Sequence, residues 1–412
     1  MQHSRNDAIP PPESPGGLPS LHRVVLIALT LVAAVIAASN APRGGIVAPA
    51  DMAPALQATA ASERLPDSLP IIRQSWINPA DHTASAHGST ICALPSGDLL
   101  SIWYGGSREG AADVALFTSR LGLGARTWDK PQRVVDRATA ETELGRSVKK
   151  VGNAVIFPDR SGLLWMVYVS VTVGGWSGSA LNVKTSRDEG RTWGESHRLT
   201  LNPFLNISSL VRNKPIFTAD GRIGLPIYHE LAWKYPQMLW LTPDAAGGVE
   251  EYRIRNVSTQ AGLIQPTLVP LDDDRVLMML RDGGPERRLR TAFSDDNGWT
   301  WSDASLSGLP NPDAAVDALR LRDGRILLVY NDAASGRENL RLALSSDQGR
   351  TWTPHAVIEA GVLKEYSYPC LVEDQQGRIH LTYTWQRERI KHVEFNVAWL
   401  DRPSEMLESL AQ

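Results

Sequence analysis

The sequence predicts an all-β, six-bladed β-propeller over residues 71–400, and three observations carry that reading. A turn cassette, S-x-D-x-G-x-T-W, occurs intact at Ser186–Trp193, Ser294–Trp301 and Ser345–Trp352. A second series of turn residues, each leading into an apolar strand, falls at Gly97 (DLLSIWY), Gly162 (LLWMVYV), Gly221 (RIGLPIY), Asp274 (RVLMML), Gly324 (RILLVY) and Gly377 (RIHLTY). Both series recur with a period of roughly 50–60 residues, the length of a four-stranded blade. A blade cannot bury both of its faces alone, so such units stack around a ring.

The cassette is a local device. Its Asp accepts hydrogen bonds from backbone N–H groups further along the turn, its Gly adopts a conformation that a side chain would obstruct, and its Trp returns to an apolar layer. A worn copy spans Ser119 to Trp128, and Thr242-Pro243-Asp244 is a further remnant.

Ahead of the repeats, residues 1–23 are polar and carry Arg5, His22 and Arg23, as expected of a cytoplasmic n-region. Val24–Ala38 is an uninterrupted apolar run, so residues 24–41 are expected to act as a signal peptide or an uncleaved signal anchor. The propeller is thereby expected to be exported, periplasmic or extracellular, with the inner membrane as a partner if the segment is retained. Residues 42–70, rich in Ala and Pro, read as a linker, and 401–412 as a tail.

The net charge of −3 argues against a protein that binds nucleic acid by neutralising phosphates. Thirteen Trp residues suit both core packing and the flat faces that sugars stack on. Cys92 and Cys370 fall in the first and sixth units, neighbours in a closed ring, where they either pair or serve as small buried apolar residues. No C-x-x-C or H-x-x-x-H spacing and no phosphate-cradling glycine loop is present, so no metal and no cofactor are expected.

The cassette is the Asp box, and with the sixfold period the chain resembles the sialidase (neuraminidase) superfamily over about residues 75–395. In that family the box is scaffold. The segment Tyr366-Ser367-Tyr368-Pro369-Cys370-Leu371, followed by the strand Arg378–Trp385, resembles the one that carries the nucleophilic tyrosine. The resemblance places the nucleophile on Tyr368, with Tyr366 as the runner-up. A neutral phenol suits an anomeric carbon that already bears a carboxylate, because it avoids the repulsion an Asp or Glu would meet.

The family grips the substrate carboxylate with three arginines, whose planar forks match it bidentately. Arg281 and Arg337 resemble the second and third. His87 stands where the first is expected and would meet an anion only when protonated. The loop Gly105–Val114 resembles the one holding the acid/base carboxylate, with Asp113 and Glu109 as alternatives and Arg108 as a further cation. Gln265 occupies the position of the glutamate that polarises the tyrosine; an amide cannot take that proton, which leaves Glu230, Asp317 or Glu365 to do so. Lys214, Asn213, Asn311, Asp313, Trp385 and Arg387 are further candidates to line the axis.

The function these resemblances imply is an exo-glycosidase acting on a terminal acidic sugar of a glycan, sialic acid or a relative. The alternatives are a lyase or hydrolase of another acidic exopolysaccharide, with His87, Tyr368 and Lys214 as acid and base, and a carbohydrate-binding propeller without catalysis.

Overall fold

A computed structural model describes residues 69–402, apart from 203–205, 232, 259, 273 and 363. The apolar run at 24–38 and the tail from 403 lie outside the described residues. Among those described, no helix is long and apolar enough to cross a membrane.

Six antiparallel sheets are arranged as the repeat requires. Blade one comprises Ser85–Ala93, Leu99–Gly106, Ala115–Leu121 and Gln132–Val135, and blade two Lys150–Pro158, Leu164–Val171, Ser179–Ser186 and His197–Arg198. Blade three opens with two short pieces, Ser209–Val211 and Ile216–Phe217, before Ile223–His229, Tyr235–Pro243 and Val249–Asn256. Blade four spans Leu263–Pro270 to Ser305–Pro310 and blade five Asp317–Arg320 to Thr353–Ala360.

Blade six draws three strands, Tyr366–Glu373, Arg378–Trp385 and Arg389–Asn396, from the end of the chain and its outermost strand, Ile72–Trp76, from the beginning. Ile72 pairs with Phe395 and Trp76 with Lys391, so the ring is closed by the backbone itself. A side-chain chain runs beside this seam: Trp128 Nε1 donates to Ser75 Oγ at 3.2 Å, and Ser75 Oγ meets His392 Nδ1 at 3.0 Å. His392 Nε2 then meets His380 Nδ1 at 3.0 Å and His380 Nε2 meets Asp374 Oδ2 at 3.1 Å. With the indole as fixed donor, every link is satisfied when both imidazoles are neutral.

The apolar core lies between blades. One buried cluster joins blades two and three, others join five to six, one to two, four to five and three to four, and two small ones join six to one. The strands therefore bury both faces; every residue of Leu164–Val171 is buried. The box tryptophans Trp193, Trp301 and Trp352 each pack on the cluster shared with the preceding blade. In the box at 345, Thr351 N and Thr351 Oγ1 donate to Asp347 at 2.9 and 2.5 Å, and these bonds hold its carboxyl down to about 2.

One feature was not legible in the repeat. A short helix, Arg137–Leu144, capped by Asp136, links blades one and two. Cys92 and Cys370 are both buried free thiols, raised above the ordinary thiol range by burial, and behave as apolar packing residues rather than a disulfide.

Candidate functional site

The first strand of each blade lines the axis, and four of the six carry a bulge at the same place. The register skips Gly88-Ser89, Asn153, Gln265-Pro266 and Tyr368-Pro369. Gly88, Asn153, Gln265 and Tyr368 all take positive φ, of 64°, 31°, 52° and 55°. At Gly88 the requirement is also steric, because a Cβ there would sit 2.6 Å from the Tyr104 ring. For Gln265 and Tyr368 the left-handed backbone is a strained choice, of the kind concentrated at functional sites. The bulge turns the side chain toward the axis instead of into the blade interface.

On the adjacent strand, the residue seven places after the turn residue faces the same opening: Tyr104 after Gly97, Tyr228 after Gly221 and Arg281 after Asp274. All these positions lie at the end of the propeller opposite the three box turns.

Tyr368 sits at the centre of this group. Its ring packs edge-on against His87, centroids 4.6 Å apart, and the guanidinium carbons of Arg212 and Arg337 lie 5.2 and 5.8 Å from its centroid. Arg281 lies close to the same phenol. Tyr366, by contrast, is buried in the cluster between blades five and six.

The arginines are held from behind. Arg281 Nε donates to Asp313 Oδ1 at 2.5 Å and Nη1 to Gln265 Oε1 at 3.0 Å. Arg337 donates to Glu365 Oε1 at 3.4 Å and to the Asp313 carbonyl at 2.9 Å. Burial alone would raise the Asp313 carboxyl, but Arg281, with Lys234 and Arg337, outweighs it and keeps it low. Glu365 is likewise held below its usual range against burial, by Arg387 and Arg337.

On the blade-one side, Glu109 faces the axis. It accepts from Arg387 and, at 3.4 Å, from the Tyr104 hydroxyl, and His87 Nε2 lies 3.9 Å away. Asp113 points elsewhere: it is exposed and bound to Ser107 N and Oγ at 2.8 and 2.9 Å, which staples the loop. Arg108 is exposed on the same loop.

His87 corrects one expectation. It is almost fully buried, and burial together with Arg387, Arg337 and Arg212 holds its imidazole well below the ordinary histidine range. It is therefore a neutral packing partner of Tyr368 rather than a conditional cation.

Lys214 and Asp317 engage each other. Asp317 is fully buried and accepts from Lys214, from Thr267 Oγ1 at 2.6 Å and from Leu371 N at 2.7 Å. Asn213 Nδ2 donates to the carbonyls of Gln265 and Pro266 at 3.1 and 2.9 Å. Arg212 Nη2 reaches the Pro369 carbonyl at 3.1 Å, while its Nε and Nη1 have no hydrogen-bond partner among the described residues. Arg212-Asn213-Lys214 thus ties blade three to blades six, four and five across the axis. Glu230 follows the strand Ile223–His229; its backbone N–H donates to Ser208 Oγ at 2.8 Å, and its carboxylate has no hydrogen bond or ion pair among the described residues.

Sequence reasoning missed Arg212, Tyr104, Tyr228 and Asn153. The repeat offset contained the signal for three of them, since the bulge position and the seventh residue after each turn recur. Arg212 had none, because blade three alone breaks its first strand.

A family model described as a BNR repeat-like domain matches residues 97–381. No curated protein matches in sequence. A Hadza microbial sialidase superposes with a TM-score of 0.67 at 17% identity, over 79% of this chain and 69% of its own. The intramolecular trans-sialidase from Ruminococcus gnavus, solved with oseltamivir carboxylate, gives 0.63 at 14%, over 80% and 98%. A protein of unknown function from Dyadobacter fermentans gives 0.62 at 14%, over 80% and 100%. At such identities the likeness is one of fold, and it agrees with the repeat read from the residues: the chain belongs to the BNR repeat-like family, on a sialidase-like propeller.

Proposed function

We propose that the protein is an exo-glycosidase that binds a terminal acidic sugar at the axial opening and cleaves its glycosidic bond. The observation that carries this reading is the convergence of Arg281 and Arg337 on Tyr368, a phenol held in a strained conformation at the mouth of the axis. Two braced guanidinium groups suit a carboxylate, and the phenol beneath them suits attack at a carbon that bears one.

In this mechanism Tyr368 Oη forms a bond to the anomeric carbon as the bond to the leaving oxygen breaks. Glu109 gives that oxygen a proton and then takes one from the water that releases the sugar. Its place beside Tyr104 and His87 at the opening, while Asp113 is turned out to Ser107, supports Glu109 over Asp113. Asp317 and Glu365 are engaged by cations, which leaves Glu230 as the carboxylate free to receive the Tyr368 proton. The position of Gln265 and the neutral His87 favour a second reading, elimination from a uronate-containing polymer, in which the same arginines neutralise the uronate carboxylate.

The full-length protein assayed on a sialoside with a chromogenic leaving group should release it, and Tyr368→Phe should lower turnover by several orders of magnitude with unchanged folding. An ultraviolet-absorbing unsaturated product from a uronate polymer would replace the first reading with the second. Equal turnover by Tyr368→Phe would refute the role of the phenol. Export through residues 24–41 belongs to the same proposal; a C-terminal reporter active only in the cytoplasm would refute it.

A further inference from the structure

Gln265 occupies the place where the resemblance expects a glutamate, and its bonding is fixed by its neighbours. Arg281 can only donate, so the Gln265 oxygen must face Arg281 Nη1, at 3.0 Å. The Gln265 Nε2 group is thereby turned to the Tyr228 hydroxyl, at 3.3 Å. Asn153 Nδ2 approaches the same hydroxyl at 3.3 Å from blade two. With the Asn153 amide in this orientation, two N–H groups occupy the lone pairs of Tyr228 Oη. Its own proton has no acceptor among the hydrogen bonds of the described residues, although the side chain is 1% exposed.

The groups that surround this hydroxyl are those of the site. Burial raises the phenol above its usual range, and Glu230, Tyr368 and Arg281 lie close enough for their charges to act on it. No hydrogen bond joins it to Glu230. A buried hydroxyl whose acceptor capacity is filled is a dedicated donor, and an unmet buried donor of this kind is costly until a ligand oxygen arrives.

We infer that Tyr228 is a substrate-binding residue: its hydroxyl donates to the carboxylate of the acidic sugar held by Arg281 and Arg337, supplying the third contact that His87 does not. A glutamate at 265 would accept from Tyr228 and consume that proton. The glutamine leaves it for the ligand, so the change at 265 and the loss of the first arginine are linked. The inference rests on the reading of the site as one for an acidic sugar.

The test is calorimetric titration of the full-length protein with N-acetylneuraminic acid and with glucuronic acid. Tyr228→Phe should weaken binding of the acid that the wild type takes by about tenfold to a hundredfold, the usual worth of a hydrogen bond to a charged group. Gln265→Glu should cause a loss of similar size. The double variant should be no worse than the poorer single one, because both changes remove the same proton. Binding by the wild type with undiminished affinity in Tyr228→Phe would overturn the inference while leaving the acidic-sugar site standing. Losses that multiply in the double variant would also overturn it. Failure of the wild type to bind either acid would overturn the reading of the site and the inference with it. Circular dichroism of each variant separates a lost contact from a lost fold.

Discussion

Replacing Asp317 with Ala tests how the axis is held. The fully buried carboxylate is the common acceptor for Lys214 of blade three, Thr267 of blade four and the Leu371 amide of blade six. Its removal leaves an ammonium that is 21% exposed without its partner, and a hydroxyl and an amide without acceptors. Breaking a buried ion pair costs about 3–5 kcal/mol, and an orphaned buried donor about 1–3 kcal/mol. These terms share one site and do not add fully, so a total of about 4–6 kcal/mol is expected.

Asp317→Asn keeps one acceptor oxygen and should cost roughly half as much. Lys214→Met combined with Asp317→Leu removes both charges and should recover the ion-pair part of the loss, since apolar replacement of a buried pair is often close to neutral, while the cost of the orphaned Thr267 hydroxyl and Leu371 amide remains. The assay is urea unfolding at constant pH, with the slope checked for two-state behaviour. A cost below about 1 kcal/mol for Asp317→Ala, or a double variant as unstable as the single one, would refute the argument.

Other outcomes follow from the same geometry. Glu109→Gln should lower turnover by about 10²–10⁴-fold on a poor leaving group and much less on one that needs no protonation; equal loss on both would remove Glu109 from the acid role. Arg281→Lys should weaken binding of an acidic ligand by about tenfold or more and leave a neutral sugar unaffected, because an ammonium cannot replace the fork braced by Asp313. Stability should fall as pH drops below the ordinary histidine value of 6.5, because burial holds His87 and His392 neutral in the fold while the unfolded chain takes up protons. Glu373, raised by burial to about 7, acts in the opposite sense between its ordinary value of 4.5 and 7, so the slope is best measured in a Glu373→Gln background. A flat profile in that background between pH 6.5 and 4.5 would refute the assignment.

The propeller was readable in the sequence because its determinants are local and repeated. Turn glycines, box aspartates and apolar strands each act within a few residues, and their period sets the blade number. The positions of Arg281, Arg337 and Tyr368 were readable for the same reason, as equivalent strand ends meet at the axis. Which of Glu109 and Asp113 turns toward the opening was not, because it depends on loop contacts to Arg387 and Ser107. Lys214 and Asp317 looked like axis-facing groups and are, yet each faces the other, a pairing between residues 103 apart that no local pattern encodes. The closing strand Ile72–Trp76 was hidden too, since its partner lies at the far end of the chain.

That closing strand also fixes how the molecule is handled from outside. Arg389–Asn396 runs away from the axial mouth, and Ile72–Trp76 runs back toward it, so Leu69 and Leu400 both emerge at the face that carries the box turns. Strands of eight residues, at about 3.3 Å each, set roughly 25 Å between that face and the mouth. An attachment made at Leu69 or at Leu400 would therefore leave from the face opposite the axial opening.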